Sequence, residues 1–247
     1  MSERKDDTGF GNITLIQDTE QFCYGVDAVL LASFAAEFGS KGSVSCKSIA
    51  DLGTNNGAVA LILSFLTDAD SIVGVELQKA AYELACRNVE ENSLKARIAM
   101  VNCDVLDIAE NFEAGSFDMV VCNPPYSAKG TSKLNKDNAL TAARHETTAG
   151  LDDFVAAAAY LLKDKGSLCM VYRPSRLADL MCSCRAQLIE PRLIRFVSPR
   201  IDKKPNIMLL ACKKNGRREL KFSDPLAVYN AKGEYTDEIQ RIYRRKD

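Results

Sequence analysis

Ser48-Ile49-Ala50-Asp51-Leu52-Gly53-Thr54-Asn55-Asn56-Gly57 reads as a buried strand running into a tight glycine loop, and Ala58 to Leu66 continues as an apolar helix. Strand, loop and helix in this succession let a nucleotide-like ligand approach the backbone at a helix N-terminus. The loop follows the pattern D-x-G-x-N-x-G, with Asn55 at the middle position where glycine is usual. Asn is the non-glycine residue best able to occupy the left-handed region, so the loop geometry is expected to survive with one side chain added beside the ligand.

Working outward, Ser71 to Val75 reads as a second strand ending in Glu76, an acid placed to take both hydroxyls of a ribose. A helix from Gln78 to Glu91 follows, with Ala81, Leu84, Ala85 and Val89 inward. Arg97 to Val101 forms a third strand leading to Asp104, which is placed either to accept from an adenine amino group or to cap a helix. Phe117 to Cys122 is a fourth strand, and it delivers Asn123-Pro124-Pro125-Tyr126 at its carboxyl end. The Asn amide and a proline-region carbonyl can accept both hydrogens of a planar amine, while Tyr126 covers the ring. Taken alone, Asn-Pro-Pro is also an ordinary strand-ending turn. Four candidate ligand positions at successive strand ends, along one edge of one sheet, favour the site.

Upstream, residues 1 to 9 are expected to lack order, Ile13 to Gln17 alternates like a short strand, and Asp27 is a plausible N-cap for a helix reaching Phe38. Downstream, Ser127 to Gly150 is a long polar stretch carrying Lys129, Lys133 and Arg144 and ending near His145. It is expected to act as a lid beside the site. The alternation resumes with a helix from Asp152 to Leu162, a Lys165-Gly166 turn, a strand from Ser167 to Tyr172 and a helix from Ser175 to Gln187. Leu193 to Val197 and Ile207 to Cys212 then read as an antiparallel pair, joined by a basic loop holding Arg200, Lys203 and Lys204. A short strand near Leu226 to Tyr229 precedes a basic tail. The expected fold is α/β and Rossmann-like: a mostly parallel sheet with a final antiparallel strand and helices on both faces. Its expected division is an extension over 1–46, a core over 47–215, and a C-terminal strand and tail over 216–247.

A content of 47% hydrophobic and 26% charged residues is that of a soluble globular protein. The N-terminus shows no basic-then-apolar signal and no apolar run approaches the length of a membrane span, so a cytoplasmic protein without membrane association is expected. The nine cysteines are scattered, no C-x-x-C occurs and there is one histidine, which argues against a metal site and for small reduced thiols in the interior. Residues 1–126 carry 8 Lys/Arg against 19 Asp/Glu, whereas residues 127–247 carry 24 against 14, so the second half is suited to face a polyanion.

On these residues the chain resembles the class I S-adenosylmethionine-dependent methyltransferases, and more narrowly the bacterial tRNA(Val) adenine-37 N6-methyltransferase family. The likeness extends to Phe22 to Ala32, Arg144-His145-Glu146, Lys204 to Leu210 and Pro225 to Tyr229. It implies that Asp51, Gly53, Thr54, Asn55 and Gly57 hold the methionyl end of S-adenosylmethionine, Glu76 its ribose and Asp104 its adenine. Asp27, Leu77 and Val105 are further cofactor contacts in this scheme. Asn123 and the Pro124 carbonyl would grip the target amine, with Pro125 shaping the turn and Tyr126 stacked on the base. The implied substrate is tRNA, contacted by Lys129, Lys133, Arg144, His145, Arg200, Lys203 and Lys204, with S-adenosylhomocysteine as the other product. The oligomeric state is left between a monomer and a weak dimer. Other enzymes with the same Asn-Pro-Pro-Tyr geometry methylate a protein glutamine or a ribosomal RNA amine. A non-catalytic nucleotide- or RNA-binding protein on this fold is the remaining alternative.

Overall fold

The computed structural model describes residues 3–18, 24–40, 46–125 and 149–243. Strands β3 (Ser48–Leu52), β4 (Ser71–Glu76), β5 (Ile98–Asn102), β6 (Phe117–Cys122), β7 (Leu162–Tyr172), β8 (Ile189–Arg200), β9 (Ile207–Lys214), β10 (Lys221–Phe222) and β11 (Leu226–Tyr229) share one sheet. Its order is β10-β8-β9-β7-β6-β3-β4-β5, with β11 also on β8. The run β7-β6-β3-β4-β5 is parallel, and β9 is antiparallel to both β7 and β8. This is the sheet expected from the sequence, with an antiparallel strand near one side.

Helices α1 (Val26–Ser40), α2 (Ala58–Leu66) and α3 (Lys79–Glu91) cover one face, and α4 (Ile108–Asn111), α5 (Leu151–Leu161) and α6 (Leu177–Ala186) the other. Side chains of the central strands alternate between the two layers. Met119, Val121, Cys169, Val171, Leu209 and Ala211 face the first, while Val120, Cys122, Leu168, Met170, Leu210 and Cys212 face the second. Burial on both faces explains why these strands read as continuous apolar runs. Each large side chain so buried contributes about 1.5–3 kcal/mol.

Four local readings are corrected. Glu3–Asp7, expected to lack order, forms β1, paired antiparallel with β2 (Thr14–Asp18) in a separate hairpin. Its charged side chains find distant partners that no local pattern reveals, Glu3 on Arg87 and Lys5 on Glu91. Asp27 lies in the first turn of α1, inside the helix rather than at its N-cap. The strand expected to begin at Ser167 begins at Leu162 and passes through Lys165, whose φ of 60° marks an irregularity. There the register against β6 jumps between Phe117 and Met119.

The C-terminal stretch, read as a tail, contains α7 (Asp237–Ile242), capped by the Thr236 hydroxyl accepting from the Ile239 N–H. Ile239 and Tyr243 are buried in the first layer beside Phe10. Of the described cysteines, all free, Cys122, Cys169, Cys184 and Cys212 are buried and Cys182 is exposed. Among the described residues, no helix is long and apolar enough to cross a membrane.

Candidate active site

Strands β6, β3, β4 and β5 are consecutive neighbours, so their carboxyl ends place Asn123, the glycine loop, Glu76 and Asp104 along one edge. The register puts Leu52 level with Val75 and with Cys122.

The loop after β3 is held by its neighbour strand: the Gly53 and Thr54 N–H groups both donate to the Val75 carbonyl, at 2.9 and 3.0 Å. Gly53, Asn55 and Gly57 have φ of 71°, 52° and 83°, so Asn55 takes the left-handed conformation expected of it. Gly53 also lies close beneath Phe154 of α5, where an added Cβ would come within 3.4 Å of the ring. Gly74 in β4 is required by packing, because a Cβ there would meet the Met100 sulfur at 2.4 Å and the Thr54 methyl at 2.9 Å.

Asp51 is 1% exposed. It accepts from the Thr54 hydroxyl at 2.6 Å and from a backbone N–H at Ala60 in α2. Burial pushes its carboxyl up to about 7, against these hydrogen bonds and with a further push from Glu76. Glu76, 8% exposed, accepts from the Asn55 N–H at 2.9 Å through one oxygen and from the Gln78 N–H at 2.8 Å through the other. Its carboxyl is also raised, by burial. The Asn102 amide donates to the carbonyls of Glu76 and Leu77 and fixes the turn that follows.

The structure thus brings Asp51, Thr54, Asn55 and Glu76 into one hydrogen-bonded group. Asp104 caps the short 3-10 turn Val105–Asp107, one oxygen accepting from the Leu106 N–H at 3.0 Å. The Val105 side chain is buried in the second layer, while Leu77 is exposed beside Glu76. Asn123 is half-buried, Pro124 buried and Pro125 exposed. Tyr126, Lys129, Lys133, Arg144 and His145, with most of the stretch read as a lid, lie outside the described residues. Arg200, at the carboxyl end of β8, and Lys203 and Lys204, just past it, are set sideways from the carboxylate group, with β8 three places from β6. A cleft of about 650 Å³ opens beside the end of β7, lined in part by Tyr172, Asp152, Asp153 and Arg176.

Asn88 did not stand out in the sequence as a supporting residue. Fully buried on α3, it donates to the Asn56 carbonyl at 2.9 Å and accepts from the Ile16 N–H at 2.7 Å. With Asn92, which bonds both backbone groups of Thr14, it completes the open edge of β2. The visible signal was a pair of Asn residues four apart in an amphipathic helix.

Two carboxylates raised by burial, joined by one loop, suit a ligand that brings positive charge and hydroxyl donors. S-adenosylmethionine has both, in its ammonium, sulfonium and ribose, so the residues present fit it. Among the described residues, no group of three or more His, Cys, Asp or Glu side chains is arranged to hold a metal ion.

Residues 27–181 match the family described as methyltransferase small domain. The tRNA1(Val) (adenine(37)-N6)-methyltransferase of Porphyromonas gingivalis (strain ATCC BAA-308 / W83) is 30% identical over 223 residues, spanning 88% of this chain and 86% of its own. Among solved structures, a predicted O-methyltransferase from Agrobacterium tumefaciens superposes with a TM-score of 0.69 at 22% identity, covering 88% of this chain and 95% of its own. The geranyl diphosphate C-methyltransferase of Streptomyces coelicolor A3(2), solved with S-adenosyl-L-homocysteine, has a TM-score of 0.54 at 14% identity, covering 74% of this chain and 77% of its own.

Proposed function

Because the chain belongs to the methyltransferase small-domain family and to that of the tRNA1(Val) (adenine(37)-N6)-methyltransferases, we propose that it methylates N6 of adenine 37 in tRNA1(Val), using S-adenosylmethionine. The observation that carries this reading is the placement of Asn123-Pro124 at the end of β6, one strand from the Asp51–Glu76 group.

When bound, S-adenosylmethionine supplies a methyl group on a sulfonium, already a good leaving group. Glu76 takes the ribose hydroxyls, Asp51 with its loop holds the methionyl end, and Asp104 turns its remaining capacity to the adenine ring. The Asn123 amide oxygen and the Pro124 carbonyl accept the two N–H groups of the target amine, which aims its lone pair away from them. Tyr126 stacks on the base. Rate enhancement then comes from alignment and desolvation of the amine, with no strong base required. An adenine in a duplex cannot reach such a pocket, so the substrate base is unpaired or displaced.

The test is mass-spectrometric mapping of methylated nucleosides in total tRNA from cells with and without this protein. Loss of N6-methyladenosine at one tRNA position is expected. An unchanged tRNA profile, with loss of a methylated glutamine or ribosomal RNA amine instead, would move the activity to that substrate.

A further inference from the structure

Resting on the RNA reading above, we propose that Tyr229 is a stacking platform for an unpaired base of the RNA substrate, on a wall formed by the ends of β8 and β11. Tyr229 closes β11 and pairs in register with Arg200, the last residue of β8. Its ring stacks on Tyr235, with centroids 5.3 Å apart and planes at 14°. Tyr235 stacks in turn on Tyr243 at 5.4 Å and 15°. Tyr243 is 5% exposed and lies against Phe10, which is fully buried. The column is therefore anchored in the core, and Tyr229, 38% exposed, is its solvent end. A backbone bridge from Tyr229 to Tyr235 and a turn tied by the Asn230 side chain to the Lys232 and Glu234 N–H groups fix the ring further. A ring already held in place loses little freedom on binding.

The surroundings select the occupant. Arg200, Lys203 and Lys204 are exposed at the adjoining hairpin tip, with Asp202 as the one acid between Ser198 and Asn206. Ile201 is 83% exposed among them. The Arg173 guanidinium, just past β7, donates to the Asn206 carbonyl at 2.9 Å and pins this tip to the sheet edge. Cations around an exposed, immobilised ring are the combination that binds single-stranded nucleic acid, the charges tracking phosphates and the ring taking a base.

Because β9 runs antiparallel to both neighbours, β8 and β11 point the same way as β6. Tyr229 therefore stands at the same edge as Asn123. Four strand steps of about 4.8 Å separate them sideways, or about 19 Å. Val171, next after the partner of Cys122, is level with Leu209 and so with Arg195, and Arg200 lies beyond that level. That distance excludes the target base itself, so Tyr229 takes a different nucleotide of the same RNA.

The test compares wild type with Tyr229→Ala, Tyr229→Phe and Tyr229→Leu in steady-state methylation of tRNA. Thermal unfolding and calorimetric S-adenosylmethionine binding serve as controls. Stacking predicts a KM for tRNA raised about 5- to 150-fold in the Ala variant, with kcat and cofactor affinity retained and Phe equal to wild type. Leu, which keeps the apolar contact with Tyr235, should fold as wild type yet share the Ala defect. A KM within twofold of wild type in a folded Ala or Leu variant overturns the proposal, as does an equal defect in Phe. If wild type itself neither binds nor methylates any tRNA, the functional reading above fails as well, and the two failures are told apart by that first measurement.

Discussion

Asn88 donates through its side-chain amide to the carbonyl oxygen of Asn56 at 2.9 Å, so a helix residue on α3 holds the glycine loop from behind. The same side chain both donates to and accepts from the backbone of Ile16, linking the loop to the N-terminal hairpin. Asn88→Ala strips partners from buried backbone groups and should cost about 2–3 kcal/mol in denaturant unfolding. It should also weaken S-adenosylmethionine binding, whereas Asn92→Ala, at a less buried position, should do less to both. Unchanged cofactor affinity in a folded Asn88→Ala protein would confine its role to stability.

Asp51 and Glu76 make the ligand-free protein sensitive to pH. The folded state holds the Asp51 proton more tightly than the unfolded chain, because burial raises its pKa from 3.8 to about 7. Stability should therefore fall as pH rises from about 4 to about 7 and level off above, the reverse of a salt-bridged carboxylate. Asp51→Asn should flatten that slope in a series of thermal melts. A cationic ligand favours the ionised form, so calorimetric affinity for S-adenosylmethionine should climb through the same range and plateau above it.

Asn123→Ala should abolish turnover while leaving cofactor affinity within a few-fold of wild type. The variant removes the grip on the amine and leaves the Asp51–Glu76 group untouched. Full activity in that variant would refute the assignment.

Gly74→Ala introduces a Cβ that must displace both Met100 and Thr54. A loss of about 1–3 kcal/mol is expected. Met100→Ala should restore only part of it, because Thr54, whose hydroxyl holds Asp51 at 2.6 Å, is still pushed. Residual weakness in cofactor binding by the double variant is the measurement that separates the two contacts.

The basic half of the chain should make tRNA affinity steeply dependent on salt. A flat response between low and physiological ionic strength would remove the electrostatic part of RNA recognition.

Much of this architecture was readable because its signals are local. The Ser48–Gly57 succession, the acid ending β4 and the Asn-Pro-Pro turn after β6 each carry their meaning within a few residues. Asn55 could be assigned its left-handed backbone from residue type alone, and its φ of 52° agrees. What escaped was set by distant partners. Glu3–Asp7 is a strand only because β2 and two side chains of α3 receive it. Nothing in the sequence near Lys165 shows that β7 continues through a positive φ to stay paired with β6. The aromatic column from Tyr229 to Phe10 joins residues at opposite ends of the sequence, beyond the reach of periodicity.

The strand order also constrains how the chain is made. Among the described residues, β8 has no neighbour in the sheet other than β9, β10 and β11, all of which follow it in the chain. As the protein leaves the ribosome, β7 must therefore wait with an open edge while β8 emerges unpaired. Only when residues 207–214 follow can β9 slot between them and close that side. An exposed edge strand is where chains mispair and aggregate. A synthesis halted between β8 and β9 would leave β6, β3, β4 and β5 assembled and the edge of β7 uncovered.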